Sequence, residues 1–183
     1  MYTHRPLVPV LNARLCRQCA NAAVIAAAGF LLINTVLWLV PDWSPIVARG
    51  MANLQTESIS LTPSIRIVGL VGSTCYLGIL GYGLWHARTL FLRLAEGSVF
   101  ETDTGLLLRR IGICLLAYAA LTPFVAALMA LLVTSNNRVG ERVVHFGVSD
   151  HEVVLGLVSA LLLAIGSVMA EATRLAEDSR QIV

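Results

Sequence analysis

Residues 65–85 read IRIVGLVGSTCYLGILGYGLW, and this stretch decides the class of fold. Its single charge, Arg66, lies at its start. The run is as long as the roughly 20 residues of helix needed to cross a hydrocarbon core of about 30 Å. With no water at that depth, backbone N–H and C=O groups must pair within the segment, so it has to be a helix. At 100° per residue, Gly69, Gly72, Ser73, Tyr76 and Gly83 share one side, while Thr74, Cys75, Gly78, Gly81 and Tyr82 occupy the other. Lipid supplies no hydrophobic drive between helices, so small residues that admit close approach must hold them together. Two small-residue faces predict a central helix with a neighbour on each flank.

Three further runs match it, at about Ala20–Val40, Ile111–Val133 and Val153–Ala170. The composition agrees: 57% hydrophobic residues and a mean hydropathy of +0.77 exceed what a water-soluble domain carries. The excess has to face lipid. Gly156, Ala160 and Ala164 recur at i, i+4 and i+8 in the fourth run, a second candidate packing stripe, and Ala22/Ala26 and Ala23/Ala27 do the same in the first. The first run is longer than a signal-peptide core and no Ala-x-Ala-like site follows it, so it reads as a retained helix. The expected fold is an all-α membrane protein, a four-transmembrane-helix bundle that forms a single domain over residues 1–183.

The spans carry their own boundary signals. Thr62-Pro63 is an N-cap with proline at the first helical position, Ser149-Asp150-His151-Glu152 fits a capping box, and Pro41 closes the first span. From Pro63 the helical pattern continues to Glu96, where Gly97 can end it, and Thr102 or Thr104 restarts a helix well before the third span. At about 1.5 Å per residue the second and third helices reach roughly 45–50 Å, which predicts a helical hairpin standing clear of the membrane. The fourth helix, continuing to Glu177, should pack beside it. At the opposite face, 58–61 and 142–148 are short alternating or β-branched stretches, and a small outer-face β ribbon is expected there. Pro123 should kink the third helix, with Thr122 bonding a freed backbone group.

Arginines orient the chain. All thirteen basic residues are arginine, and nine of them fall in the N-terminal segment, the middle loop and the tail, against four on the other side. The positive-inside rule then places both termini and the Arg88–Arg110 loop in the cytoplasm.

Little in the chain points to chemistry. No Asp, Glu, Arg or His lies in the middle of a span, which weighs against an ion-coupled pathway. Asn34, Thr35, Tyr76, Tyr118 and Thr122 are the polar side chains at depth, read first as interhelical hydrogen bonds; a deep polar cavity beside Asn34, Tyr76 and Tyr118 would favour a small-molecule carrier instead. Cys16-Arg17-Gln18-Cys19 is a CxxC, but it is a single pair on the reducing side, so a thiol-redox role stays an alternative. His145, His151, Glu141, Asp150 and Glu152 match no zinc spacing, and no nucleophile elbow, P-loop or dinucleotide fingerprint is present. Neither an enzymatic activity nor a cofactor or metal is expected. The net charge of +2 is too small to imply direct nucleic-acid binding.

The segment from Glu96 to Gly112, EGSVFETDTGLLLRRIG, resembles the signature of a family of bacterial four-helix integral membrane proteins of unknown function. The matching positions are Gly97, Phe100, Asp103, Leu108, Arg109, Ile111 and Gly112; Thr104 stands where that family usually has asparagine. The tail, Ala170 to Val183, is similar to the family's ending. The resemblance implies a multi-pass protein of the bacterial cytoplasmic membrane, and since members are often encoded beside a Cro-type helix-turn-helix regulator, a cytoplasmic regulator as partner. Read physically, Gly97 reverses the chain, Phe100 folds back on Leu90 and Leu94, and Asp103 favours a helix N-terminus.

The function expected is a non-enzymatic interaction or regulatory module. Its working surface is the cytoplasmic tip: Glu96, Gly97, Phe100, Asp103, Arg109, Arg174 and Glu177. Mixed charge of this kind suits a protein better than lipid, which would select a basic patch. The bilayer is the surrounding partner, and a homo-oligomer is left open.

Overall fold

The computed structural model describes residues 13–54, 59, 61–96, 102–137, 142, 144 and 146–180. Five helices occur among them: α1 (Ala13–Leu39), α2 (Ser44–Ala52), α3 (Pro63–Ala95), α4 (Thr102–Thr134) and α5 (Asp150–Arg180). All but α2 are long and apolar enough to cross a membrane, and the chain is a multi-pass membrane protein. The long helices form a row in which α1 packs on α3, α3 on α4 and α4 on α5. The expected flanks of the second span are thus α1 and α4, although α4 is equally internal, touching α2, α3 and α5. Among the described residues α1 and α4 do not pack along their length, and α5 rests on α4 without comparable contact to α1 or α3. The long helices thus follow one another in the order α1, α3, α4, α5, each packed on the next.

The helix limits follow the boundary signals. Thr62 takes the extended N-cap conformation with Pro63 at the first helical position, although its hydroxyl makes no cap bond. At α5 the Ser149 backbone N–H donates to the Glu152 carboxylate at 2.6 Å, and the Ser149 hydroxyl donates to the same oxygen, so the capping box is realised in a variant form. Pro123 sits within α4 without ending it. The Thr122 hydroxyl donates to the Tyr118 carbonyl at 2.9 Å, not to the Ala119 carbonyl that Pro123 leaves unpaired.

At the α2 end one element was not foreseen and one expectation is corrected. The connection after Pro41 contains α2, with Pro45 in its first turn. Its C-terminus is a Schellman motif: Asn53 adopts φ 53°, ψ 40°, the Leu54 N–H donates to the Arg49 carbonyl at 3.0 Å and the Asn53 N–H to Gly50 at 3.4 Å. Second, no strand occurs among the described residues, so the ribbon expected at 58–61 and 142–148 is not found. An isolated hairpin is marginal in any case. Phe146 instead makes an edge-to-face contact with Phe124 of α4, ring centroids 5.4 Å apart. Ser58, Ser60, Val143 and His145 lie outside the described residues.

The buried core sits at this same end. Trp38 of α1, 1% exposed, joins Ala48, Ala52 and Leu54 from α2 and its cap, Ile65 from α3, and Met129, Ala130 and Val133 from α4. α2 buries Ser44, Ala48 and Ala52 and leaves Trp43 and Ile46 outward, side chains of the kind that settle at a membrane boundary. Near the other boundary, Tyr82 and Trp85 are exposed on α3 and the Arg88 guanidinium lies 5.3 Å from the Trp85 ring centre. Ten residues of α3 beyond Trp85 put its end roughly 15 Å further out.

Candidate functional site

Polar side chains at depth gather in the gap left between α1 and α4. Asn34 of α1 donates through Nδ2 to the Thr74 hydroxyl of α3 at 3.2 Å. Across the gap the Tyr76 hydroxyl of α3 lies 2.6 Å from the Thr122 hydroxyl of α4. Because Thr122 donates its own proton to the Tyr118 carbonyl, Tyr76 is the donor in that pair. The Tyr76 and Tyr118 rings stack with centroids 4.4 Å apart. The expected interhelical bonds therefore exist for Asn34, Tyr76 and Thr122, whereas Thr35 turns back to the Leu31 carbonyl of its own helix at 2.8 Å.

These groups do more than tie helices together, because Asn34, Tyr76, Tyr118 and Thr122 line a cavity of about 340 Å³. That volume is at the small end of ligand sites. Phe30, Ile33 and Leu37 of α1 form one apolar wall and Val125 and Ala126 of α4 the other; α3 supplies the floor, and Val47, Gly50 and Met51 of α2 lie across one end. Asn34 is only 6% exposed, and one end of its amide is used on Thr74 while the other has no partner among the described residues.

The small residues divide sharply. A Cβ added at Gly69 would fall 2.3 Å from the Trp38 ring, and one at Gly72 would fall 3.2 Å from Cε of Met129. Gly78 and Gly81, on the opposite side, have nothing within 4 Å. The stripe of Gly156 and Ala160 likewise faces away: nothing approaches Gly156, and Ala160 is exposed. The tight α4/α5 seam uses residues the sequence reading did not mark for packing, Gly105, Gly112 and Gly166. A Cβ at Gly105 would lie 2.8 Å from the Ala170 nitrogen, and one at Gly112 would lie 3.1 Å from the Ser159 carbonyl oxygen. Gly105 and Gly112 are seven apart, on one face of α4, and that spacing was a usable signal.

Of the tip residues, Glu96 caps α3 and is exposed, as are Arg109 and Arg174. Gly97 and Phe100 lie outside the described residues. Asp103 and Glu177 fall within α4 and α5. Cys16 is half-buried and Cys19 exposed, both free thiols at the start of α1. Also unmarked in the sequence was His86, buried on α3 and edge-on to Tyr82 at 4.5 Å between ring centres.

Fold and crevice together define a class: a small multi-pass helical membrane protein with a mainly apolar cavity that carries a few polar groups and, among the described residues, no charged one. The family model described as protein of unknown function (DUF2975) matches residues 46–183, and the chain belongs to that family. The match takes in most of α2 and all of α3 to α5, so Tyr76, Tyr118 and Thr122 fall within it while Asn34 on α1 precedes it. No curated protein and no solved structure matches the chain.

Proposed function

We propose that this protein is a non-enzymatic ligand-binding module of the bacterial cytoplasmic membrane, with the α1/α4 crevice as its working site. The observation that carries this reading is the convergence of Asn34, Tyr76, Tyr118 and Thr122 on one cavity with opposed apolar walls. Membrane helices that need only to cohere close such gaps with small residues, as α4 and α5 do at Gly105, Gly112 and Gly166. Native mass spectrometry of the wild-type protein and an Ala126→Trp variant tests it. The wild type is expected to carry a small co-purifying adduct that the filled cavity excludes; identical spectra count against a ligand site.

A second reading concerns the far end and rests on the length of α3, α4 and α5 beyond the aromatic boundary at Tyr82 and Trp85. With the arginine bias placing this end in the cytoplasm, Glu96, Arg109 and Arg174 form a mixed-charge surface suited to a cytoplasmic regulator. A photoreactive residue at Thr173 should capture a second protein in intact cells. Capture of nothing beyond this chain counts against docking.

A further inference from the structure

We infer that the crevice takes a neutral single-chain amphipath, a long-chain alcohol or a lipid of like head chemistry, which enters sideways from the bilayer between α1 and α4. The inference rests on the crevice being a ligand site and concerns what it selects.

Neutrality follows from the lining. Among the described residues no Asp, Glu, Arg, Lys or His lines the cavity, so a charged head would sit at membrane depth without an ion-pair partner in the lining. What the walls offer is the open end of the Asn34 amide together with the Tyr76–Thr122 hydroxyl pair. The Asn34 carbonyl oxygen can accept a hydrogen bond from a head group that donates without carrying charge.

The single chain follows from volume. About 340 Å³ gives room for one alkyl segment between Ile33 and Val125, and a second tail would have to stay outside in the bilayer. The direction of access follows from topology. α3 floors the cavity and α2 lies across one end, with Val47 and Met51 in its lining. The gap between α1 and α4, which do not pack along their length, is the remaining side, and on a multi-pass protein that side meets lipid. Phe30 and Ile33 at that edge are themselves exposed, as lipid-facing residues are.

The test uses the full chain in nanodiscs with three photoreactive probes of equal chain length: a primary alcohol, the matching carboxylic acid and the matching trimethylammonium compound. The alcohol should label peptides spanning 30–37 and 118–126 at least about tenfold more efficiently than either charged probe. Labelling should fall on addition of unlabelled dodecanol and vanish in Ala126→Trp, a variant whose thermal melting and helix content report on folding. Asn34→Leu should weaken alcohol labelling about threefold, the scale of one intramembrane hydrogen bond. If the acid or the ammonium compound labels the crevice as well as the alcohol, neutral selection is overturned while the ligand site stands. If the alcohol labels lipid-facing surfaces evenly and Ala126→Trp changes nothing, the crevice binds nothing and both readings fall.

Discussion

Gly105 of α4 and Gly166 of α5 meet backbone to backbone: a Cβ added to Gly105 falls 2.9 Å from the Gly166 carbonyl oxygen, and one added to Gly166 falls 2.9 Å from the Gly105 carbonyl oxygen. Neither side can yield by turning a side chain, because the obstructing atoms are main chain. Gly105→Ala and Gly166→Ala should each destabilise the protein by about 1–3 kcal/mol, the range for overpacking a close contact. Gly156→Ala, pointing into open space, should stay within roughly 0.5 kcal/mol of wild type. Denaturant unfolding in micelles measures all three, and equal tolerance would remove the seam from the account.

At the other end of the protein, Trp38 occupies the space above Gly69. Gly69→Ala should be destabilising on its own, since the added methyl meets the ring at 2.3 Å. Trp38→Ala, emptying a buried site, should cost about 3–5 kcal/mol. The double variant should be less damaging than the sum, because the ring that clashes is gone. Strict additivity in the double-mutant cycle would show that the two do not share space.

The two small-residue faces of α3 should separate in a leucine scan. Gly72→Leu pushes against Met129 of the core, whereas Gly78→Leu points where nothing lies within 4 Å. We expect loss of thermal stability for the first and near wild-type melting for the second. A larger loss at Gly78 would mean that this face meets a partner.

The Tyr76–Thr122 bond is open to the same treatment. Tyr76→Phe and Thr122→Val should show a coupling of about 0.6 kcal/mol, with roughly 1.7 kcal/mol as the upper bound for bonds of this kind in membranes. Coupling indistinguishable from zero would mean that the bond adds nothing to the stacked rings at that point of the α3/α4 contact.

Topology is tested by reporter fusions. An alkaline phosphatase joined after Val183 should be inactive and a fluorescent protein there bright, as expected for a cytoplasmic tail. The opposite result would turn the chain over and place the Cys16–Cys19 pair on the oxidising side.

How much of this was readable in advance depends on the scale of the interaction. The four spans, the extension of α3 to Ala95 and the start of α4 at Thr102 follow from local rules: apolar run length, Pro63 at a helix start and a cap at Ser149 with Glu152. Each of these is decided within a few residues of chain, and no tertiary contact competes with it. α2 was also written locally, in Pro45 and the left-handed Asn53, but its nine residues are too short for a span search, and the Pro45 and Gly50 within it are poor helix formers.

Packing was a different matter. Glycine content alone marks several faces as equally able to admit a neighbour, and Gly78, Gly81, Gly156 and Ala160 look no different in sequence from Gly69, Gly105 and Gly166. Which face is used depends on which helices lie side by side, and that is set by the sum of contacts along whole helices. The crevice has the same origin. Asn34, Tyr76 and Thr122 are legible one by one as polar residues at depth, and the sequence by itself determined their depth, their chemistry and the lack of ionisable residues in the middle of the spans. That they line one cavity was decided only by the tertiary structure, because α1 and α4 both lean on α3 and leave a gap that no local pattern records.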